Sequence, residues 1–122
     1  RLCTAQRGLI TTQSRGLLRH GLALAARTLV RLEATRGIRR EQFDLFVCHQ
    51  VSETHAQGVA KVWGMPFERF HHIYPTHGNM GPVAVIYCLH EAARAGRLPQ
   101  HSQVLLGGIG SGLNCTLMHL SA

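Results

Sequence analysis

Three short groups of residues carry the chemistry open to this sequence. His49-Gln50 closes an apolar run, Phe43-Asp44-Leu45-Phe46-Val47-Cys48, and precedes a stretch with helical signals. The C-terminal end of such a strand is where α/β proteins place site residues. His77-Gly78-Asn79 follows about 30 residues later, in the loop Pro75-Thr76-His77-Gly78-Asn79-Met80-Gly81. An imidazole and a carboxamide can both donate hydrogen bonds to an oxygen that gains negative charge, and donors aimed at developing charge contribute strongly to catalysis. Each residue also has a plainer reading: His49 as a hydrogen-bonded core histidine, Asn79 as a turn residue between glycines. The third group is the glycine run Gly107-Gly108-Ile109-Gly110-Ser111-Gly112. It reads G-x-G-x-G rather than G-x-G-x-x-G, and the residues after it look like strand rather than helix, which excludes a dinucleotide fingerprint. It is either a hairpin turn or a turn whose bare backbone closes on a ligand.

Metal chemistry finds no support. Cys3, Cys48, Cys88 and Cys115 form no C-x-x-C, and His71 and His72 are adjacent, so no set of four ligands at zinc spacing closes. Cys48 and Cys88 sit in apolar stretches where thiols act as small hydrophobes. None of the cysteines has the surroundings of an activated nucleophile. The reading is therefore of no metal and no cofactor.

The elements that must position these groups follow from local signals. An apolar face of Leu17, Leu18, Leu22, Ala25, Leu29 and Leu32 predicts a helix from Ser14, its expected N-cap, to about Thr35, with Gly37 ending it. The run from Phe43 to Cys48 predicts a strand. A second helix is expected from an N-cap at Ser52 to Trp63, stopped by Gly64, then a turn of helix at 66–70 and a brief strand at 71–74. Pro82 suits the first position of a third helix that ends near Gly96. Its stretch from Val83 to Leu89 is apolar all round, which predicts burial on every side. Gln103 to Leu106 and Leu113 to Leu120 are expected as strands, and residues 1–13 as linker or poorly ordered chain.

Composition bounds the rest. The chain has 122 residues, 45% hydrophobic and 16% charged, which is globular and argues against disorder. No apolar run approaches the length needed to span a membrane. The net charge of +7 is uneven: residues 1–40 hold nine arginines against Glu33, or +8, and residues 41–122 hold four basic against five acidic residues, or −1. Arg15, Arg19, Arg27 and Arg31 recur at multiples of four, but no aromatic residues interleave them as a nucleic-acid stacking surface requires. The cysteine usage and the start at Arg1, with neither charged nor apolar leader, read as a cytoplasmic piece of something longer, without a secretory signal.

Together the motifs are more specific than any alone. Val47-Cys48-His49-Gln50, His77-Gly78-Asn79 and Gly110-Ser111-Gly112 before a final strand resemble the C-terminal half of a thiolase-fold condensing enzyme of the β-ketoacyl synthase III family. Gly78-Asn79-Met80-Gly81-Pro82 and Gly108-Ile109-Gly110-Ser111-Gly112-Leu113-Asn114-Cys115 look like the head-to-head acyl-CoA condensing enzymes of olefin synthesis. The resemblance covers about residues 12–121 and makes 14–122 the domain. It implies an α/β chain that is half of a thiolase-like αβαβα fold, with a mixed sheet and a buried central helix, and a homodimer. It implies a nucleophilic cysteine in an N-terminal half, so this chain alone is expected to be inactive. His49 and Asn79 would be the catalytic donors, and Gly110, Ser111 and Gly112 an oxyanion-hole loop. Acyl-CoA or acyl carrier protein thioesters would be the substrates. His49-Gln50-Val51-Ser52 departs from the His-Gln-Ala-Asn of many carrier-protein users, and the helix after it offers Glu53 and a single cation, Lys61, which favours a CoA thioester. A non-catalytic scaffold of the same fold is the alternative reading, and a basic nucleic-acid-binding domain the weaker one.

Overall fold

The computed structural model describes residues 3–6, 8–110 and 112–122. Three layers result: two helices, a sheet, one helix. The first long element, α1 (Ser14–Arg36), ends on Gly37 in the left-handed conformation. Its N-cap is Gln13 rather than Ser14, and no side chain caps it. Strand β3 (Leu45–Cys48) follows, then α2 (Glu53–Trp63), where the Ser52 hydroxyl accepts from the His55 N–H and Gly64 again closes in the left-handed region. These boundaries agree with the sequence signals because capping chemistry is local.

Residues 1–13 were expected to be linker, yet they contain a hairpin, β1 (Cys3–Gln6) paired antiparallel with β2 (Leu9–Thr12). Gly8, at φ 78°, supplies the turn. Four-residue strands are too short to show a period, which is why the sequence hides them. The segment 71–74 is not a strand either. Only Phe70 bridges Phe46, and the chain then turns into the single-turn helix α3 (Tyr74–His77). The Gln50 side chain, described below, takes the backbone N–H groups that a strand would have used.

After a 3-10 turn at Gly81–Val83 comes α4 (Ala84–Arg94), so Pro82 sits in the turn that leads into the helix rather than at its first position. The last strands are β4 (Gln103–Gly110) and β5 (Asn114–Ser121). The sheet order is β3-β4-β5, parallel between β3 and β4 and antiparallel between β4 and β5, so the sheet is mixed. All four residues of β3 are buried, as befits a strand covered on both faces. Phe46, Cys48 and Leu105 face α1 and α2, joining Ala25, Leu29, Val59 and Trp63. Leu45, Val47 and Val104 face α4, joining Ala84, Cys88 and Ala92.

Within this chain helix α4 is buried on one side: Ala84, Cys88 and Ala92 lie in the core, while Ile86 is 67% exposed and Val83, just before the helix, 56%. The chain supplies a sheet beneath this helix and no layer above it among the described residues.

The two outer helices are tied at their C-terminal ends by one ion pair. Arg40 Nε and Nη2 donate to the two Glu33 carboxylate oxygens at 2.8 and 2.5 Å, and Arg40 Nη1 donates to the Trp63 carbonyl at 2.8 Å. Both side chains are largely shielded, and the guanidinium holds the Glu33 carboxyl below its ordinary pKa. Glu33 thus stabilises the fold above the usual carboxylate range, and that contribution disappears as pH falls through its lowered folded value. Unfolding in urea should show Glu33→Gln less stable than the parent near neutral pH, with the gap closing in acid. A gap that persists at low pH would mean the charge contributes nothing.

Candidate functional site

His49 is the first residue beyond β3, and its backbone N–H donates to the Gly107 carbonyl at 2.8 Å, so strand pairing with β4 sets its position. Its half-buried ring places Nδ1 3.2 Å from the Gly81 carbonyl. Asn79 is exposed, and its Oδ1 accepts from the Gly81 N–H at 2.9 Å. The two side chains, thirty residues apart in sequence, therefore meet at the N–H and C=O of one glycine. Gly81, at φ 59°, adopts the left-handed backbone this requires.

These bonds define what each group can offer. With Oδ1 engaged, the Asn79 amide N–H groups have no partner among the described residues and remain available as donors. Burial lowers the His49 pKa, and the Gly81 carbonyl opposes the shift only in part. A neutral imidazole beside a carbonyl acceptor carries its proton on Nδ1, which leaves a lone pair on Nε2. The neutral ring is favoured, but with Nδ1–H engaged its far nitrogen is not the donor that the resemblance implies. In this geometry Nε2 accepts.

A shallow, open cleft lies beside His49 between α1, α2 and the sheet. Its walls include His55, Cys48, Cys115 and Trp63 together with Gly107, Gly108 and Ile109. The glycine run is thus divided. Gly107 and Gly108 face the cleft, whereas Gly110 ends β4, and Gly112, at φ 76°, forms the turn to β5. Neither of the latter two lines the cleft, and Ser111 lies outside the described residues. Gly107 has a packing reason: a Cβ there would meet Cys48 Sγ and the Trp63 ring at 3.1 Å.

Sequence reasoning gave no role to two polar side chains at this place. His55 stacks edge to face on His49 with ring centroids 6.1 Å apart, and burial with the neighbouring His49 charge lowers its pKa to about 4. Gln50, 3% exposed, is the buried hub of the site. Only the helical N-terminus begun by Ser52 signals His55 in advance, by putting it on the first turn of α2. The cysteines stay protonated thiols: burial raises Cys48 well above its ordinary value, Cys88 to about 12, and Cys115 as well. None of the three is a nucleophile here. Among the described residues no group of three or more His, Cys, Asp or Glu could hold a metal ion.

A mixed sheet with helices on both faces, with His49 and Asn79 bonded to one glycine beyond the end of β3, places the chain in the thiolase fold. Residues 33–121 match the 3-oxoacyl-[acyl-carrier-protein (ACP)] synthase III C-terminal family, and the chain belongs to it. It is 37% identical over 117 residues to an acyl-CoA:acyl-CoA alkyltransferase of Xanthomonas campestris pv. campestris, covering 96% of this chain and 35% of that protein. A crystal structure of 3-oxoacyl-(acyl carrier protein) synthase III, FabH, from Xanthomonas oryzae pv. oryzae superposes with a TM-score of 0.91 at 34% identity, over 99% of this chain and 36% of that one. A variant of OleA from Xanthomonas campestris gives a TM-score of 0.92 at 35% identity, over 100% of this chain and 36% of that one. The chain spans about a third of the length of these relatives.

Proposed function

We propose that this chain forms the C-terminal part of a cytoplasmic acyltransferase that joins two acyl thioesters by Claisen condensation, and that His49 and Asn79 serve the carbon–carbon bond-forming step. The observation that carries the reading is that both side chains bond to one glycine, Gly81, beyond the end of β3. In this mechanism a cysteine of an N-terminal half holds the first acyl group as a thioester. The second thioester, as its enolate, attacks that carbonyl; a C–C bond forms and the cysteine leaves as thiolate. Asn79 donates to the thioester oxygen that bears the enolate charge. His49, fixed through Nδ1, takes the α-proton of the second thioester at Nε2 as the enolate forms and passes it to the departing cysteine thiolate. In the same proposal Gly110, Ser111 and Gly112 supply backbone to the acyl-cysteine carbonyl once the N-terminal half is in place.

Partners follow from the same reading. The exposed apolar face of α4, with Val83 and Ile86 outward, is covered by the N-terminal half, and two such enzymes form a homodimer. The substrates are acyl-CoA thioesters rather than carrier-protein ones, in keeping with the single cation, Lys61, on α2. No helix among the described residues is long and apolar enough to cross a membrane.

The test is to join this chain behind the N-terminal two thirds that its relatives carry and to assay condensation of two acyl-CoA molecules. His49→Ala should lower the rate by about 10²–10⁴-fold, the range for losing a general acid–base group. The parent rate should rise with pH through the lowered pKa of His49 and level off above it, since the neutral ring is the working form. Near-normal rates for His49→Ala, or a rate that falls over that pH range, would sink the assignment.

A further inference from the structure

We infer that Gln50 is a positioning residue, whose carboxamide sets the placement of the Asn79 loop relative to the strand end that carries His49. The inference rests on the reading that these two side chains serve one reaction, and it adds to it the part that holds them in register.

The geometry is that of a saturated strut. Gln50 Oε1 accepts from the Ile73 N–H at 2.8 Å and from the Tyr74 N–H at 3.2 Å. Gln50 Nε2 donates to the His71 carbonyl at 2.5 Å and to Cys88 Sγ at 3.4 Å. A primary amide has two donor hydrogens and an oxygen with two lone pairs, and all are used. The residue next to His49 is therefore bonded to segment 71–74 and to α4 at once. Helix α3 has no side-chain cap from its own N-cap residue, Ile73, so Gln50 is what receives its leading N–H groups. One turn later Gly78 N–H closes on the Tyr74 carbonyl at 3.0 Å, and Asn79 follows directly. The path from Gln50 through α3 to Asn79 and Gly81 returns to His49, and no member of it is longer than one helical turn.

A buried amide with every bond made is rigid, and one with a bond removed leaves orphaned backbone groups in the core. A merely structural glutamine would affect how much protein folds. A positioning glutamine affects where Asn79 and His49 stand in the protein that does fold.

The test uses the completed enzyme and two variants, Gln50→Met and Gln50→Glu. Acylation of the N-terminal cysteine by the first thioester is read as a burst, and condensation as turnover. Gln50→Met should keep its burst per folded site and lose about 10²-fold in turnover, the scale of a donor misplaced by about an ångström. Gln50→Glu keeps the acceptor oxygen but faces the His71 carbonyl without a proton. Relative to the parent at the same pH it should regain rate as pH falls and the carboxyl regains an O–H. Selective nitrogen-15 spectra of histidine should show the Nδ1–H form of His49 in the parent and its loss in Gln50→Met. Turnover near the parent value, or a burst and a turnover that fall together, overturns the inference. If His49→Ala and Asn79→Asp both condense normally, the functional reading falls instead, and the His49 spectrum still decides: its change in Gln50→Met supports the strut, and its constancy overturns it.

Discussion

Exchanging Asn79 for aspartate is expected to slow condensation by about 10³-fold or more, with the loop still folded. The expectation rests on the two ends of one side chain. The oxygen end accepts the Gly81 N–H at 2.9 Å, and an aspartate oxygen accepts it equally well. The other end changes from an N–H donor to a charged acceptor, facing an oxygen that becomes negative during the reaction. Loss of a donor and gain of repulsion act together there. The measurement is turnover of two acyl-CoA molecules by the completed enzyme, with the acylation burst as the check that sites are intact. The burst should survive, because the first acyl transfer places its charge on a different carbonyl. A turnover close to that of the parent would remove Asn79 from the reacting centre and leave it as a turn residue.

What the sequence discloses about this site is its membership, and what it conceals is the junction. His49 and Asn79 stand out because a strand end and a pre-helical glycine loop are recognisable from residues nearby. Their meeting point, Gly81, depends on a contact across 32 positions. The same contact settles which nitrogen of His49 carries the proton, and no local pattern reports that. Gln50 is a more telling case. Its place beside His49 is visible, but its effect falls on residues 71–74, where it turns an expected strand into the start of α3. Helix α1 and helix α2 were legible for the opposite reason: their stops, Gly37 and Gly64, act on the residues immediately before them. The glycine run shows where composition gives out. Strand register, not residue type, turns Gly107 and Gly108 toward the cleft and leaves Gly110 and Gly112 to the turn. The outer face of α4 is apolar in the sequence and uncovered in the chain, so its pattern describes a larger assembly than these residues form.

Truncating Trp63 to alanine should cost about 3–5 kcal/mol of folding stability, the largest loss expected from any single core substitution here. Trp63 is 2% exposed and closes α2 against three neighbours at once. Its ring lies 5.8 Å from Phe46 and 6.0 Å from Phe70, which joins the helix layer to β3 and to the chain that follows α2. Its indole Nε1 donates to the Ala25 carbonyl at 3.1 Å and so fixes α1 over the sheet. Removing the ring opens a void that Gly107, directly below it, cannot fill, and it leaves the Ala25 carbonyl without this donor. Phenylalanine keeps one six-membered ring but loses the N–H and part of the indole, so Trp63→Phe should cost less, about 1–3 kcal/mol. Urea unfolding of both variants separates the packing part from the hydrogen-bond part. Because Trp63 also walls the cleft beside His49, the alanine variant should bind straight-chain acyl thioesters less selectively by length. Equal losses for the two variants would show that the hydrogen bond, and not the aromatic cluster, holds the helices on the sheet.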